Sequence, residues 1–307
     1  MPSTSSDPED KHSGQWRLIA DLDELLHRAR GFLHSQPALH INQLRKIVEL
    51  RRHGPQVPGP RQPVFGVLER AGAVTAAFLR MPLPSRLSVT PLTVAEAEDL
   101  AAFLGSLDEP LPGFSAVHET AAAFAEAWRR RTGITGTPHN RQRLYRLAAL
   151  TPPESAPPGR ARVAVAADRK QLACWYGEFT EEVGMPAPPE EEGLRWADER
   201  IAYGGITLWE SPDGTPVSMA CAAPQLVGAV RLADVYTPLH LRGRGYAGAV
   251  TVAVSRAACA AGAAEVLLFT DPANPTSNAL YQRLGYRPVR DFTAYRFDVT
   301  PTATAAA

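Results

Sequence analysis

The apolar positions of the chain fall into two successive series with the same order of periods. Leu18, Leu22, Leu25, Leu26 and Ala29 recur at helical spacing, and Leu39, Leu44, Ile47, Val48 and Leu50 repeat it, so two helices are predicted to open the fold. Beyond the breakers Gly54-Pro55 and Pro58-Gly59-Pro60, residues 64–68 and 74–79 form apolar runs on either side of Arg70-Ala71-Gly72. That pattern predicts a hairpin, extended by residues 86–89. Thr93-Val94-Ala95-Glu96 has capping-box spacing and introduces a helix to about Leu104. A strand at 114–117, a helix at 119–131 and a strand at 143–150 complete the first series.

Residues 151–159 hold four prolines and predict a linker. The order then begins again: a strand at 162–166, a helix capped by Asp168 and bearing Leu172, Trp175, Phe179 and Val183, and a second helix at 189–202. Residues 206–210 and 217–222 flank Ser211-Pro212-Asp213-Gly214, strong hairpin chemistry. A central strand at 228–237 leads to an Ala-rich helix at 246–261, ended by Gly262. Residues 265–270 read as a buried strand. A helix at 275–284, with Pro in its first turn and Gly285 past its end, precedes strands at 286–289 and 293–299.

A length of 307 residues fits two domains. Lys plus Arg (32) balances Asp plus Glu (32), so no broad field draws the chain to nucleic acid or an anionic membrane. Small molecules or other proteins are the expected partners. The three cysteines, Cys174, Cys221 and Cys259, match neither paired metal ligands nor a disulfide framework, and they predict reduced thiols in a cytoplasmic protein. The eight histidines show no metal spacing, so no metal is expected, and His240 reads as a surface residue. Residues 1–14 lack an apolar signal core, no apolar run reaches the roughly 18 residues of a membrane span, and disordered tails are expected at 1–16 and 300–307.

The candidate chemistry lies between the strand at 228–237 and the helix that follows it. In Arg242-Gly243-Arg244-Gly245-Tyr246-Ala247-Gly248, backbone N–H groups can converge on an anion with little side-chain obstruction. No Gly-Lys-Ser/Thr follows, which excludes a Walker loop. Gly243, Gly245 and Gly248 have dinucleotide-loop spacing but lack the βαβ order and acidic residue that go with it. Arg242, Gly245 and Ala247 fit Arg/Gln-x-x-Gly-x-Gly/Ala, and Asn274, Tyr281, Gly285 and Tyr286 fit Asn-(x)6-Tyr-x-x-x-Gly-Phe/Tyr. On these motifs residues 160–299 resemble the GCN5-related N-acetyltransferase (GNAT) superfamily, above all its FR47-like branch.

The resemblance implies an α+β fold of two GNAT-like α/β domains, 17–150 and 160–299, each a mixed, mostly antiparallel sheet flanked by helices. It implies an N-acetyltransferase that moves acetyl from acetyl-CoA to a small-molecule amine by direct attack. A CoA-binding sensor or scaffold without turnover is the alternative. The CoA diphosphate would lie at Arg242, Gly243, Arg244, Gly245, Tyr246, Ala247 and Gly248, where the glycines lack an obstructing Cβ and the arginines add charge-assisted bonds. Val235, Tyr236 and Thr237 would present backbone groups to pantetheine, where their strand splays from 265–270, and Asn274 and Ser277 would touch the cofactor.

Tyr281 matches the tyrosine that protonates the leaving thiolate, unless it is a core aromatic whose hydroxyl is satisfied elsewhere. Asp234 is the candidate base by position, expected to share a strand face with Val230, Leu232 and Tyr236, and it could equally be a structural carboxylate. Glu210 is the second candidate. Trp175, Tyr176 and Phe179 line the acceptor side or form plain core, and Glu178, Glu181 and Glu182 read as a solvated face. The first half repeats the element order but has no such glycine motif. Its junction between 114–117 and 119–131 reads Ser115-Ala116-Val117-His118-Glu119, so this half is expected to be a degenerate lobe that binds no CoA.

Overall fold

The computed structural model describes residues 14–53, 62–107 and 109–297. The chain forms two compact units, one of Met1–Gln142 with Arg290–Ala307 and the other of Arg143–Val289. The first holds β1 (Gln15–Ile19), α1 (Leu22–Ser35), α2 (Pro37–His53), β2 (Val64–Arg70), β3 (Ala73–Arg80), β4 (Leu87–Val89), α3 (Val94–Gly105), β5 (Gly113–Val117) and α4 (His118–Thr132). It also takes the beginning of β6 (Gly136–Leu147). The second holds β7 (Arg160–Val163), α5 (Arg169–Glu182), α6 (Glu190–Ala202), β8 (Ile206–Glu210), β9 (Pro216–Ala222), β10 (Ala229–Tyr236), α7 (Tyr246–Ala260), β11 (Glu265–Thr270) and α8 (Pro275–Arg283). It takes the beginning of β12 (Tyr286–Phe297).

The order β, α, α, β, β, β, α, β, α, β thus occurs twice, and among the described residues each unit has a parallel pair, β4 with β5 or β10 with β11, beside antiparallel ones. Two parts of the expected organisation change. A strand precedes the first two helices: Trp16 and Ile19 are buried, and β1 pairs with β2 from Gln15↔Glu69 to Ile19↔Phe65, so the expected tail at 1–16 runs into a strand. The remaining tail residues 1–13, the breakers within 54–61 and the stretch 298–307 lie outside the described residues.

The expected boundaries at 150 and 160 also give way. Arg143 to Arg146 pair with Thr270 to Leu267 inside the second unit, whereas Phe292 to Arg296 pair with Val117 to Gly113 inside the first. Each closing strand begins in one unit and pairs within the other, and local periodicity does not register that passage. For the same reason 286–289 and 293–297 are parts of one strand. The proline-rich stretch is held inside the second unit, by Thr151 N–H on Leu284 O (3.0 Å) at one end and Trp209 Nε1–H on Pro158 O (3.4 Å) at the other.

The first unit's core packs Phe78, Leu100, Phe114, Phe124 and Trp128, with Phe114 and Phe124 stacked at 3.9 Å. The second unit has a core on each sheet face. One joins Val230, Leu232, Val250, Leu268, Tyr281 and Tyr286, and the other joins Leu172, Trp175, Trp196, Leu208, Met219, Cys221 and Tyr236. Asp168 does not cap α5. Its carboxylate accepts from Val165 N–H (2.8 Å) and holds the Arg162 guanidinium at 2.6 and 2.8 Å, bracing β7 against the start of the helix.

Candidate functional site

The site is built where β10 leaves its neighbours. It pairs with β11 only from Ala229↔Glu265 to Leu232↔Leu268, yet continues to Tyr236, so the two strands separate at their C-terminal ends. Against β9 the register runs Ala233↔Cys221 and then Tyr236↔Met219, which inserts a bulge at Asp234 and Val235. Asp234 has φ +49, a left-handed conformation that Asp tolerates better than most residues. The bulge reverses the alternation, so Tyr236 lies in the α5/α6-side core while Val230 and Leu232 lie in the other. Asp234 therefore does not share a face with Val230 and Leu232. Its carboxylate lies 3.8 Å from Arg200 Nε, and the Arg200 guanidinium sits over Trp196, whose ring stacks on Tyr176 at 4.3 Å.

Beyond Thr237 the chain makes a 3-10 turn at Leu239–Leu241 and enters α7 through Gly243 (φ +77) and Gly245 (φ +85), where glycine avoids the strain of a left-handed backbone. Gly245 occupies the N-cap without a capping side chain, and its carbonyl accepts from Ala249 N–H at 3.0 Å. The N–H groups of Tyr246, Ala247 and Gly248 thus have no partner within the helix. Within the chain the glycines differ in what they meet. A Cβ on Gly243 would meet nothing within 4 Å, so its conformation is what requires glycine, while a Cβ on buried Gly248 would sit 3.4 Å from Leu280 Cδ1, a packing position. Arg244 is exposed and donates to His240 O at 3.3 Å. Arg242 is held by Glu182 and Thr237 O.

At the start of α8, Asn274 Oδ1 accepts from Ser277 N–H at 3.0 Å and caps the helix, so these two residues first hold each other. The structural hub is Asn278, which the motif reading missed. Its Oδ1 accepts from Tyr145 and Thr270 hydroxyls at 2.9 and 2.7 Å, and its Nδ2 donates to Asn274 O at 2.6 Å. A buried Asn with this many neighbouring polar groups leaves no periodic trace in sequence. Tyr281 is buried, edge-on to Tyr286 at 6.0 Å. The Tyr145 and Tyr286 hydroxyls have partners, the latter Ser255 at 2.7 Å, whereas no described residue hydrogen-bonds the Tyr281 hydroxyl. Burial raises its phenol above the usual range.

Glu210 is not placed as a free base. Hydrogen bonding to Arg162 foremost, against some burial, and then to Arg160 holds its carboxyl below the usual range. Trp175 is core, while Tyr176 and Phe179 are half-buried against that core. Glu178 and Glu182 are no idle solvated face: Glu178 Oε2 accepts from Tyr236 Oη–H at 2.6 Å. Trp175, Glu178 and Glu182 share one helical stripe, a signal available in the sequence. Among the described residues no three His, Cys, Asp or Glu side chains converge as metal ligands would, and no helix is long and apolar enough to cross a membrane.

In the repeated order, the counterpart of this junction in the first unit is β4 to α3, not the β5 to α4 junction compared above. Only Thr90-Pro91-Leu92-Thr93 intervene there. Thr93 Oγ1 accepts from Glu96 N–H at 3.3 Å, Glu96 Oε2 accepts from Thr93 N–H at 2.7 Å, and Leu92 N–H is taken by Thr120 Oγ1 at 2.8 Å. The helix start is filled by its own side chains, with a buried carboxylate ion-paired to Arg70 at 3.1 Å.

Residues 218–296, from β9 into β12, match the family model described as FR47-like protein. No curated protein sequence matches the chain. Among solved structures, a GCN5-related N-acetyltransferase from Sphaerobacter thermophilus is similar at a TM-score of 0.62 and 16% identity, over 92% of this chain and 95% of that one. A GNAT-family acetyltransferase from Colwellia psychrerythraea is similar at 0.58 and 11%, over 92% and 100%. A tandem GNAT protein from the clavulanic acid biosynthesis pathway is similar at 0.52 and 12%, over 92% and 98%. At these identities the likeness is one of fold.

Proposed function

We propose that this chain, which carries the GNAT fold and, over 218–296, the pattern of its FR47-like branch, is an N-acetyltransferase that moves acetyl from acetyl-CoA to a small-molecule amine. One observation carries the reading: the β10–α7 junction, where two left-handed glycines lead into a helix start without a cap. A helix N-terminus left open in this way attracts a diphosphate through its free N–H groups and partial positive charge. Arg242, Gly243, Arg244, Gly245, Tyr246, Ala247 and Gly248 would hold that group. The unpaired end of β10, at Val235, Tyr236 and Thr237, would receive the pantetheine arm, with Asn274 and Ser277 at its border.

The bound donor supplies an activated acyl thioester. Asp234 takes a proton from the acceptor ammonium, directly or through water. The neutral nitrogen then bonds to the acyl carbon as the carbon–sulfur bond breaks, the Tyr281 phenol gives its proton to the departing sulfur, and the second proton lost from the acylated nitrogen restores the phenol through solvent. A phenol with a raised pKa stays protonated at neutral pH, and its partnerless hydroxyl is not committed elsewhere, which supports this assignment. The two groups approach from opposite faces of the sheet, with Asp234 against α6 and Tyr281 in the α7/α8-side core.

The reading is tested by melting the protein with and without acetyl-CoA. At about 100 times Kd, linkage predicts a rise of roughly 5 °C. Release of free thiol is then followed across aminoglycosides, amino acids and peptide N-termini. Absence of a shift would refute the assignment, and a shift without thiol release from any amine would favour a sensor.

A further inference from the structure

Helix α5 meets the glycine-rich loop with two carboxylates one turn apart. Glu178 accepts from Tyr236, the last residue of β10. Glu182 offers both oxygens to Arg242 Nη2, its Oε2 at 2.6 Å. Arg242 Nε in turn donates to Thr237 O at 2.9 Å, and its guanidinium lies 5.8 Å from the centroid of the Tyr236 ring. Two of the three guanidinium nitrogens are thereby fixed, and the loop from Thr237 to Arg242 is closed on itself. Among the described residues Nη1 has no partner. Both members of the Glu182–Arg242 pair are about two-fifths exposed, and such a pair contributes little to folding. Its consequence is conformational, because a long side chain held at two points has lost most of its rotamer freedom before a ligand arrives.

We infer that Glu182 is a positioning residue for acyl-donor binding, holding Arg242 so that Nη1 is left for the diphosphate. The inference rests on the function proposed above, and Glu182 lies outside both motifs that led to that function. It differs from a simple exchange, in which the diphosphate would pull Arg242 off Glu182, because an exchange makes Glu182 a competitor of the ligand.

Calorimetric titration with CoA separates these cases in the full chain. Glu182→Gln is expected to weaken CoA binding about fivefold and Arg242→Ala more strongly, with the double variant no weaker than Arg242→Ala alone. Exchanging the pair, as Glu182→Arg with Arg242→Glu, rebuilds an ion pair and should recover the parent's Tm without recovering CoA affinity. A merely structural bridge would recover both. Unchanged or tighter CoA binding by Glu182→Gln would overturn the inference, as would losses that add in full in the double variant. If the parent itself binds no CoA, the proposed function fails too, whereas binding by the parent with an insensitive Glu182→Gln removes the inference alone.

Discussion

The two units carry the same element order, and the contrast between their β4–α3 and β10–α7 junctions shows what leaves one helix start open and fills the other. In the first unit four residues connect strand to helix, and Thr93 and Glu96 consume each other's backbone donors. In the second, nine residues intervene between Tyr236 and Tyr246, and the N-cap is a glycine with nothing to donate or accept from a side chain. Both helix starts carry a partial positive end. The first fills it with a carboxylate of its own, and the second leaves it open. The last helices differ in parallel: the seventh residue of α4 is Phe124, stacked in the core, and the seventh of α8 is Tyr281, with an uncommitted hydroxyl.

The largest effect should follow from making the second unit resemble the first at that position. Tyr281→Phe is expected to lower kcat by about 100-fold or more, the range for loss of a general acid. CoA affinity and Tm should stay near the parent's, since the hydroxyl has no described partner. Tyr286→Phe provides the control. It removes the bond to Ser255, costs about 1 kcal/mol of stability and leaves kcat in place. A Tyr281→Phe enzyme at parental kcat would leave Tyr281 a core aromatic without a catalytic role.

Next in size is Gly245→Val. A β-branched residue at φ +85 costs about 1–3 kcal/mol and disturbs the helix start. CoA binding should fall by more than about tenfold, read as loss of the acetyl-CoA-dependent Tm rise. The matching change in the first unit, Thr93→Ala, removes a cap worth about 1 kcal/mol and should leave CoA affinity unaltered. Altered CoA binding by Thr93→Ala would mean that the two junctions are less different than their geometry implies.

The sequence exposed most of this contrast. Helical spacing and turn residues located the elements from α1 to α8, because each depends on contacts a few residues apart. The loop was legible because Gly243 and Gly245 answer to backbone conformation, a local property. What escaped was set by pairing at a distance. The bulge at Asp234 exists only relative to β9, so simple alternation gave the wrong face. The passage of β6 and β12 between units has no local marker. Glu210 looked like an available carboxylate because Arg160 and Arg162 lie about 50 residues away. The junction equivalent to the loop is β4–α3 rather than β5–α4, because β1 leads the first unit as β7 leads the second.

The smallest predicted difference between the units is their response to acid. Arg162 holds both Asp168 and Glu210 below the usual carboxylate range, each chiefly through its hydrogen bond to that guanidinium. A carboxylate with a depressed folded pKa contributes stability that is present above its unfolded value and is lost as pH falls through the folded one. Neutral to mildly acidic solution should therefore leave the β7–β8 edge intact, and protection should decline from about pH 4 downward. In the first unit Glu24 is also depressed, chiefly by the Ala20 N–H and then by Arg28, and Glu126 chiefly by Arg129, but both lie on solvent-facing helix surfaces, where screening leaves little to lose. Hydrogen exchange between pH 7 and pH 3 should show the amides of β7 and β8 opening before those of α1 and α4. Asp168→Asn should flatten that response by removing one of the two titrating groups, and simultaneous opening of both regions in the parent would place the acid-sensitive bonds elsewhere.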